Sequence, residues 1–243
     1  MKTRADLLLV ARGLFDSRAK ARAAIEAGGV SADGRVVAKA SELVADDADI
    51  QARPAHPWVG RGGLKLLHAL ELWPIVVQDR IVLDVGASTG GFTQVCLARG
   101  AARVYAVDVG RAQMHAKVLA DPRIVSLEGT DARDLTAALI PEPPGLIVAD
   151  VSFISLEKAM PSALALALPG ADLVVLVKPQ FEVGHGKVGK GGIVTDGAAR
   201  AGTLEAVSAF VVASGWTVRG TADSPIEGGD GNREYLLWAT RGG

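Results

Sequence analysis

The chain reads as an α/β protein: a parallel sheet with helices on both faces, preceded by a small basic module of helices and short strands. Three observations predict this. From residue 81 onward, short apolar runs of strand character alternate with helical ones. A glycine-rich loop, Asp84-Val-Gly-Ala-Ser-Thr-Gly-Gly-Phe92, follows the first of these runs and opens a helix. The pattern changes at Pro54-Ala-His-Pro-Trp58, where two prolines stiffen a connection.

In the first segment, residues 4–12 are amphipathic and Gly13 suits a helix stop. Asp16-Ser17 can cap a second helix over residues 18–27, ended by Gly28-Gly29. Residues 30–37 read as a tight hairpin about Asp33-Gly34, the dipeptide that favours a type I′ turn. The predicted organisation is a first domain over residues 1–55, a linker over 56–60 and a second domain over 61–243. Within the second, strands are expected at 81–85, 104–108, 124–127, 146–150 and 173–178. Helices are expected at 91–99, 112–119, 132–139, 156–168 and 198–214, and residues 217–222 and 235–239 should close the sheet as an antiparallel hairpin.

Composition narrows the class. At 243 residues and 49% hydrophobic content the chain can bury a core, and its formal charge is −1. The charge is uneven: residues 1–39 carry eight basic side chains against four acidic ones. That module reads either as a nucleic-acid handle, through Arg4, Arg12, Arg18, Lys20 and Arg22, or as a solvated helix surface. The one cysteine, Cys96, excludes a disulfide framework and fits a reducing, cytoplasmic setting and a place in the core. No apolar run approaches the ~20 residues of a spanning helix, and no signal peptide is evident. His56, His68, His115 and His185 show no ligand spacing, so no metal is expected.

Lys65, Asp150, Lys178 and Glu234 are the candidate chemical groups. Three of them sit at ends of predicted strands, and ligands of open α/β sheets gather outside the carboxyl ends of parallel strands. The glycine loop departs from the dinucleotide spacing G-x-G-x-x-G, with Ser88 where a pyrophosphate needs clear backbone. Asp108, closing the next strand, can accept both hydroxyls of a ribose, which suits either a nicotinamide or a sulfonium nucleoside. Gly184-His-Gly-Lys-Val-Gly189-Lys190 imitates a phosphate loop but has Gly191 where Ser or Thr must hold Mg²⁺. Its lysines, Lys187 and Lys190, fit better as a basic lid on a polyanion. Phe153 can stack on a base or pack in the core, and Trp58 can pack at the domain junction or lie on the surface.

The glycine loop resembles motif I of S-adenosylmethionine-dependent methyltransferases. The four polar residues resemble the tetrad of FtsJ/RrmJ-like RNA 2′-O-ribose methyltransferases. Gly60-Arg-Gly-Gly-Leu-Lys65, Ala149-Asp-Val-Ser-Phe153, Lys178-Pro-Gln-Phe-Glu182 and Gly231-Asn-Arg-Glu-Tyr235, in that order behind a segment similar to an S4 RNA-binding domain, resemble the TlyA family of bacterial ribosomal RNA methyltransferases, also called haemolysins. The segment departs from the S4 pattern at Ala5, where leucine is usual.

The resemblance implies a Rossmann-like methyltransferase sheet with an N-terminal α+β S4-like domain, a cytoplasmic location, S-adenosylmethionine as cofactor and ribosomal RNA or its subunits as partner, without membrane insertion. It implies a cofactor site of Asp84, Gly86, Ser88, Gly90, Gly91, Phe92, Asp108, Asp131 and Asp150, with Asp84 ordering the loop and Asp131 at the adenine edge. It implies methyl transfer to a ribose 2′-hydroxyl, of cytidine, with Lys178 as proton acceptor. Burial and Lys65 favour its neutral form, whereas Asp150 and Glu234 favour its charged form, and the balance is open at this level. A non-catalytic RNA-binding or membrane-lytic protein on the same fold is the alternative.

Overall fold

The computed structural model describes residues 1–184 and 188–242, which fall into two compact units, residues 1–57 and 58–243. The first unit contains β1 (Lys2–Arg4), α1 (Ala5–Ala11), α2 (Arg18–Glu26), β2 (Val30–Ala32), β3 (Arg35–Val36), β4 (Leu43–Ala45) and β5 (Ile50–Ala52). The Ser17 side chain caps α2 by accepting from the Lys20 amide. Asp33 and Gly34 both take positive φ, 49° and 76°, so the β2–β3 turn has the backbone twist a two-residue hairpin requires. β2 pairs antiparallel with β3 and β5, and β1 with β4. Leu8, Leu9, Phe15, Ile25, Val30 and Val44 fill the space between helices and strands.

The second unit begins at Trp58. The Trp58 ring lies against Gly63, where a Cβ would stand 2.7 Å from it, and the Val59 amide donates to Gln94 at 2.7 Å. α3 (Gly62–Leu72) leads into β6 (Ile81–Val85), α4 (Gly91–Ala98), β7 (Arg103–Asp108), α5 (Ala116–Leu119) and β8 (Ile124–Glu128). After these come β9 (Leu146–Ala149), α6 (Leu156–Ala159), α7 (Pro161–Leu166), β10 (Asp172–Val177), α8 (Pro179–Glu182), α9 (Gly197–Ala213), β11 (Trp216–Asp223) and β12 (Tyr235–Arg241). Among the described residues the sheet has seven strands in the order β11-β12-β10-β9-β6-β7-β8. β10, β9, β6, β7 and β8 are parallel, and β12 runs antiparallel to both its neighbours.

Alternate side chains of each central strand leave on opposite faces. Leu83, Val85, Ile147, Ala149, Leu173 and Val175 face one layer with Met160, Leu164, Val207 and Val211. Val82, Leu146, Val148, Val174 and Leu176 face the other with Leu66, Ala69, Val95 and Cys96. The sequence β6 to β7 moves outward on one side, while β9 returns on the other side of β6. This reversal opens a crevice beyond the carboxyl ends of β6 and β9.

Three predicted helices differ. Residues 112–115 form a loop instead, because Glu128 binds the amides of Ala112, Gln113 and Met114, and only Ala116–Leu119 is helical. Residues 132–139 keep a single 3-10 turn, Ala132–Asp134, capped by Asp131. Residues 156–168 split at Met160-Pro161, since Pro161 brings no N–H and starts its own helix. β1 and β4, three residues each, are too short for any period to announce them.

Asp172, at the start of β10, accepts from Arg80 at 2.5 Å and from the Trp238 indole at 2.8 Å. Asp172→Ala leaves the Trp238 indole without its acceptor and Arg80 with only the Gly145 carbonyl, in a largely buried place. The expected cost is about 2–3 kcal/mol, read from urea unfolding by tryptophan fluorescence. Asp172→Asn, which can still accept from Trp238, should lose less.

Candidate active site

Strand directions assemble the polar residues. Asp150 follows β9 and Lys178 follows β10, both at carboxyl ends. Because β12 is antiparallel, its first residue, Tyr235, pairs with Val177, the last of β10. Glu234 and Lys178 therefore stand at the same end of adjacent strands. Lys65 enters from the first turns of α3. Lys65 Nζ lies 2.5 Å from Glu234 Oε2, and both side chains are buried. Lys178 Nζ lies 2.6 Å from Asp150 Oδ1 as an ion pair, while its aligned hydrogen bond goes to Ser152 Oγ at 2.8 Å. Gly62 packs against this corner, where a Cβ would stand 3.2 Å from Asp150 Oδ2.

Two cavities meet here. A cleft of about 610 Å³ is lined by Gly86, Ser88, Asp108, Gly110, Gln113, Asp131 and Asp150 among others. A smaller pocket of about 200 Å³ is lined by Arg61, Gly62, Gly91, Phe92 and Lys178. Gly86, Ser88, Asp150 and Ser152 belong to both. Gly86 has φ of 82° and a Cβ there would meet the Asp150 carbonyl at 2.8 Å, so only glycine fits the shared wall. Asp108 Oδ2 accepts from the Ser88 amide at 2.8 Å and Oδ1 from the Gly110 amide at 2.7 Å. Hydrogen bonding from Arg133 holds Asp131 down to about 2. The cleft thus presents three carboxylates and an arginine already paired to one of them. That lining suits a neutral nucleoside with a cationic sulfur and repels a pyrophosphate.

Gly91 and Phe92, predicted for the cofactor, line the smaller pocket, and Asp84 and Gly90 line neither cavity. Asp84 is fully buried under the loop, where Oδ2 accepts from Thr93 Oγ1 at 2.6 Å and Oδ1 has no partner. Burial pushes its carboxyl up to about 7. Gly90 takes φ of 91° and abuts Val118.

The FtsJ-like methyltransferase family matches residues 58–241, and the S4 domain family matches residues 3–50. The TlyA 16S/23S rRNA (cytidine-2′-O)-methyltransferase of Mycobacterium tuberculosis is 46% identical over 98% of this chain and 89% of its own length. This chain belongs to the TlyA family of FtsJ-like methyltransferases. The Hemolysin A of Brachyspira hyodysenteriae is 38% identical over 96% of the chain and 98% of its own length. A Streptococcus thermophilus structure, solved under the name of a hemolysin, superposes with a TM-score of 0.77 at 39% identity, over 99% of this chain and 89% of the other. This family member is an S-adenosylmethionine-dependent enzyme, and its acidic cleft fits that cofactor. No helix among the described residues is long and apolar enough to cross a membrane.

In the S4 unit, Asp6 is buried between Arg4 and Arg18, which both donate to it, the nearest contact being 2.8 Å from Arg18. Arg4, Arg18 and Arg22 line one cleft together with Lys39, which was not among the predicted RNA contacts. Lys20 and Arg22 pair along α2 with Asp16 and Glu26. Arg12 stays exposed and donates to the carbonyls of Ala48 and Asp46. Lys187 and the side chain of Lys190 lie outside the described residues. Phe153 is not core: it is 91% exposed, holds φ of 66°, and tilts against Phe181 at 5.1 Å.

Two residues escaped sequence reasoning. Ser152 lay unmarked inside Ala149-Asp-Val-Ser-Phe153, since a lone serine carries no pattern. Glu128 accepts three consecutive amides at 2.8–3.0 Å, and those bonds hold its carboxyl below the usual range. It thereby shapes the loop from which Gly110 and Gln113 wall the cleft.

Glu128→Gln should raise KM for S-adenosylmethionine ~10-fold with kcat nearly unchanged, as read by initial rates over a range of S-adenosylmethionine concentrations. For Asp84 the folded state keeps its proton up to about 7, whereas the unfolded chain releases it near the ordinary ~3.9. Stability is then lost as pH rises through that window, and the loss is complete above it. Asp84→Asn should gain melting temperature relative to the parent between pH 5 and pH 8. Parallel curves would contradict the assignment.

Proposed function

We propose that this enzyme methylates a ribose 2′-hydroxyl of cytidine in ribosomal RNA. The observation that carries the reading is the Lys178–Asp150 pair, set where the cleft for the cofactor opens into the smaller pocket. Asp108 would take the ribose hydroxyls of the cofactor, since each of its oxygens keeps a lone pair beyond its one amide bond. Asp131 would meet the adenine edge, and Gly86 and Ser88 the methionine half. Bound S-adenosylmethionine supplies an electrophilic methyl group on a sulfonium.

A ribose hydroxyl entering the smaller pocket faces Lys178. The 2′-oxygen would take the methyl group that the bound cofactor supplies, and its proton would pass to Lys178 Nζ once that amine has released to solvent the proton it carries in the ion pair with Asp150. Asp150 offsets the cation so formed. Lys65 and Glu234 neutralise one another beneath the site and fix the start of β12. Phe153, exposed on a strained backbone at the rim, offers a stacking face to an unpaired base. The S4 unit would grip RNA phosphates through Arg4, Arg18, Arg22 and Lys39. Which ribosomal subunit serves as substrate belongs to this proposal too: the M. tuberculosis relative is named for both 16S and 23S RNA.

The test is transfer of labelled methyl to purified ribosomal subunits, followed by nucleoside analysis. The label should return as 2′-O-methylcytidine, and Lys178→Ala should lower kcat by a factor on the order of 10² or more while cofactor binding by calorimetry persists. Label in a base, or a Lys178→Ala variant of normal rate, would refute the reading.

A further inference from the structure

Lys178 needs more than a place beside the substrate. Lys178 can accept only after the ammonium paired with Asp150 has given up a proton; the amine then has two N–H bonds and one lone pair around Nζ, and only the lone pair can receive a proton. Rotation about the terminal carbon–nitrogen bond decides where that lone pair points. Asp150 Oδ1, at 2.6 Å, draws N–H bonds toward itself and repels the lone pair, but the contact is not aligned as a hydrogen bond. The aligned acceptor is Ser152 Oγ, at 2.8 Å.

Ser152 is well placed for this. It lines both the cleft and the smaller pocket, so it stands at their junction with Asp150. The next residue, Phe153, holds φ of 66°, a conformation that costs a non-glycine residue energy and persists only where its surroundings impose it. That turn follows directly on Ser152 and fixes where its hydroxyl can reach. With one N–H bond held by Ser152 and the other drawn to Asp150, the lone pair takes the remaining direction.

We propose that Ser152 is a positioning residue for methyl transfer, its hydroxyl fixing the rotation of the Lys178 amine so that the lone pair is presented to the ribose hydroxyl. The proposal rests on the 2′-O-methylation reading above. Only orientation is at stake: the proton still goes to Lys178 Nζ, and no further reactant enters.

The experiment uses full-length Ser152→Ala, Ser152→Thr and Lys178→Ala with S-adenosylmethionine and unmodified ribosomal subunits, measuring kcat, KM for the cofactor, and melting temperature. Ser152→Ala should lose ~10-fold in kcat with cofactor KM and melting temperature unchanged, and Ser152→Thr should restore most of the rate. Parental kcat in Ser152→Ala, beside an inactive Lys178→Ala, overturns the role of Ser152 alone. So does a loss that appears in KM or melting temperature, or one that threonine leaves in place. An active Lys178→Ala overturns the 2′-O-methylation chemistry itself.

Discussion

The ion pair between Lys65 and Glu234 joins residues 169 positions apart and fixes the first turns of α3 against the start of β12. Taking two charges out of water costs several kcal/mol each, and mutual attraction returns that only when the geometry is good. Such a pair adds little net stability. It is costly to break, however, because either partner alone would be an uncompensated buried charge. It therefore acts as a registry device: the helix that follows the proline-rich segment and the antiparallel strand beside β10 can meet in one arrangement. With that arrangement set, Lys178 and Glu234 stand side by side at the carboxyl edge of the sheet.

The second lysine–carboxylate pair differs in its access to solvent. Lys178 is buried, but Asp150 opens to both cavities. The cofactor cleft and the smaller pocket share the wall made by Gly86, Ser88, Asp150 and Ser152, so the two reactants would approach one another across a few atoms. Gly86 has no room for a Cβ at this wall, which makes the close approach a property of backbone rather than of side-chain choice. The cleft beyond it is held open by carboxylates that bind backbone amides: Asp108 ties Ser88 to Gly110, and Glu128 shapes the loop from 112 to 114.

Charge is divided between the units according to what each would meet. The cleft carries acidic groups suited to a sulfonium nucleoside, and the S4 unit carries arginines on one surface. Asp6 shows how that surface is kept in order. Its buried carboxyl holds Arg4 and Arg18, and the arginines in turn, Arg4 first, hold it down to about 2. A formal charge of −1 for the whole chain conceals this division.

Much of this was legible in the order of residues. Near-continuous apolar runs gave the strands 81–85 and 146–150 nearly to the residue, because strands buried on both faces need apolar side chains on both. The glycine loop and the charged strand ends marked the site, since glycine and charge at those places have few structural uses. Sequence alone does not say which lysine pairs with which carboxylate, and tertiary structure decided it through strand direction: β12 is antiparallel, so Glu234 comes to the edge occupied by Lys178 and reaches Lys65. It also decided where helices stop. Residues 112–115 have helical periodicity, but three amides bind the carboxylate of Glu128, a residue that helical periodicity could not bring near them. Local pattern fixes what a segment can form, whereas contacts between distant residues fix which of its polar groups find partners, and an active site is built from the latter.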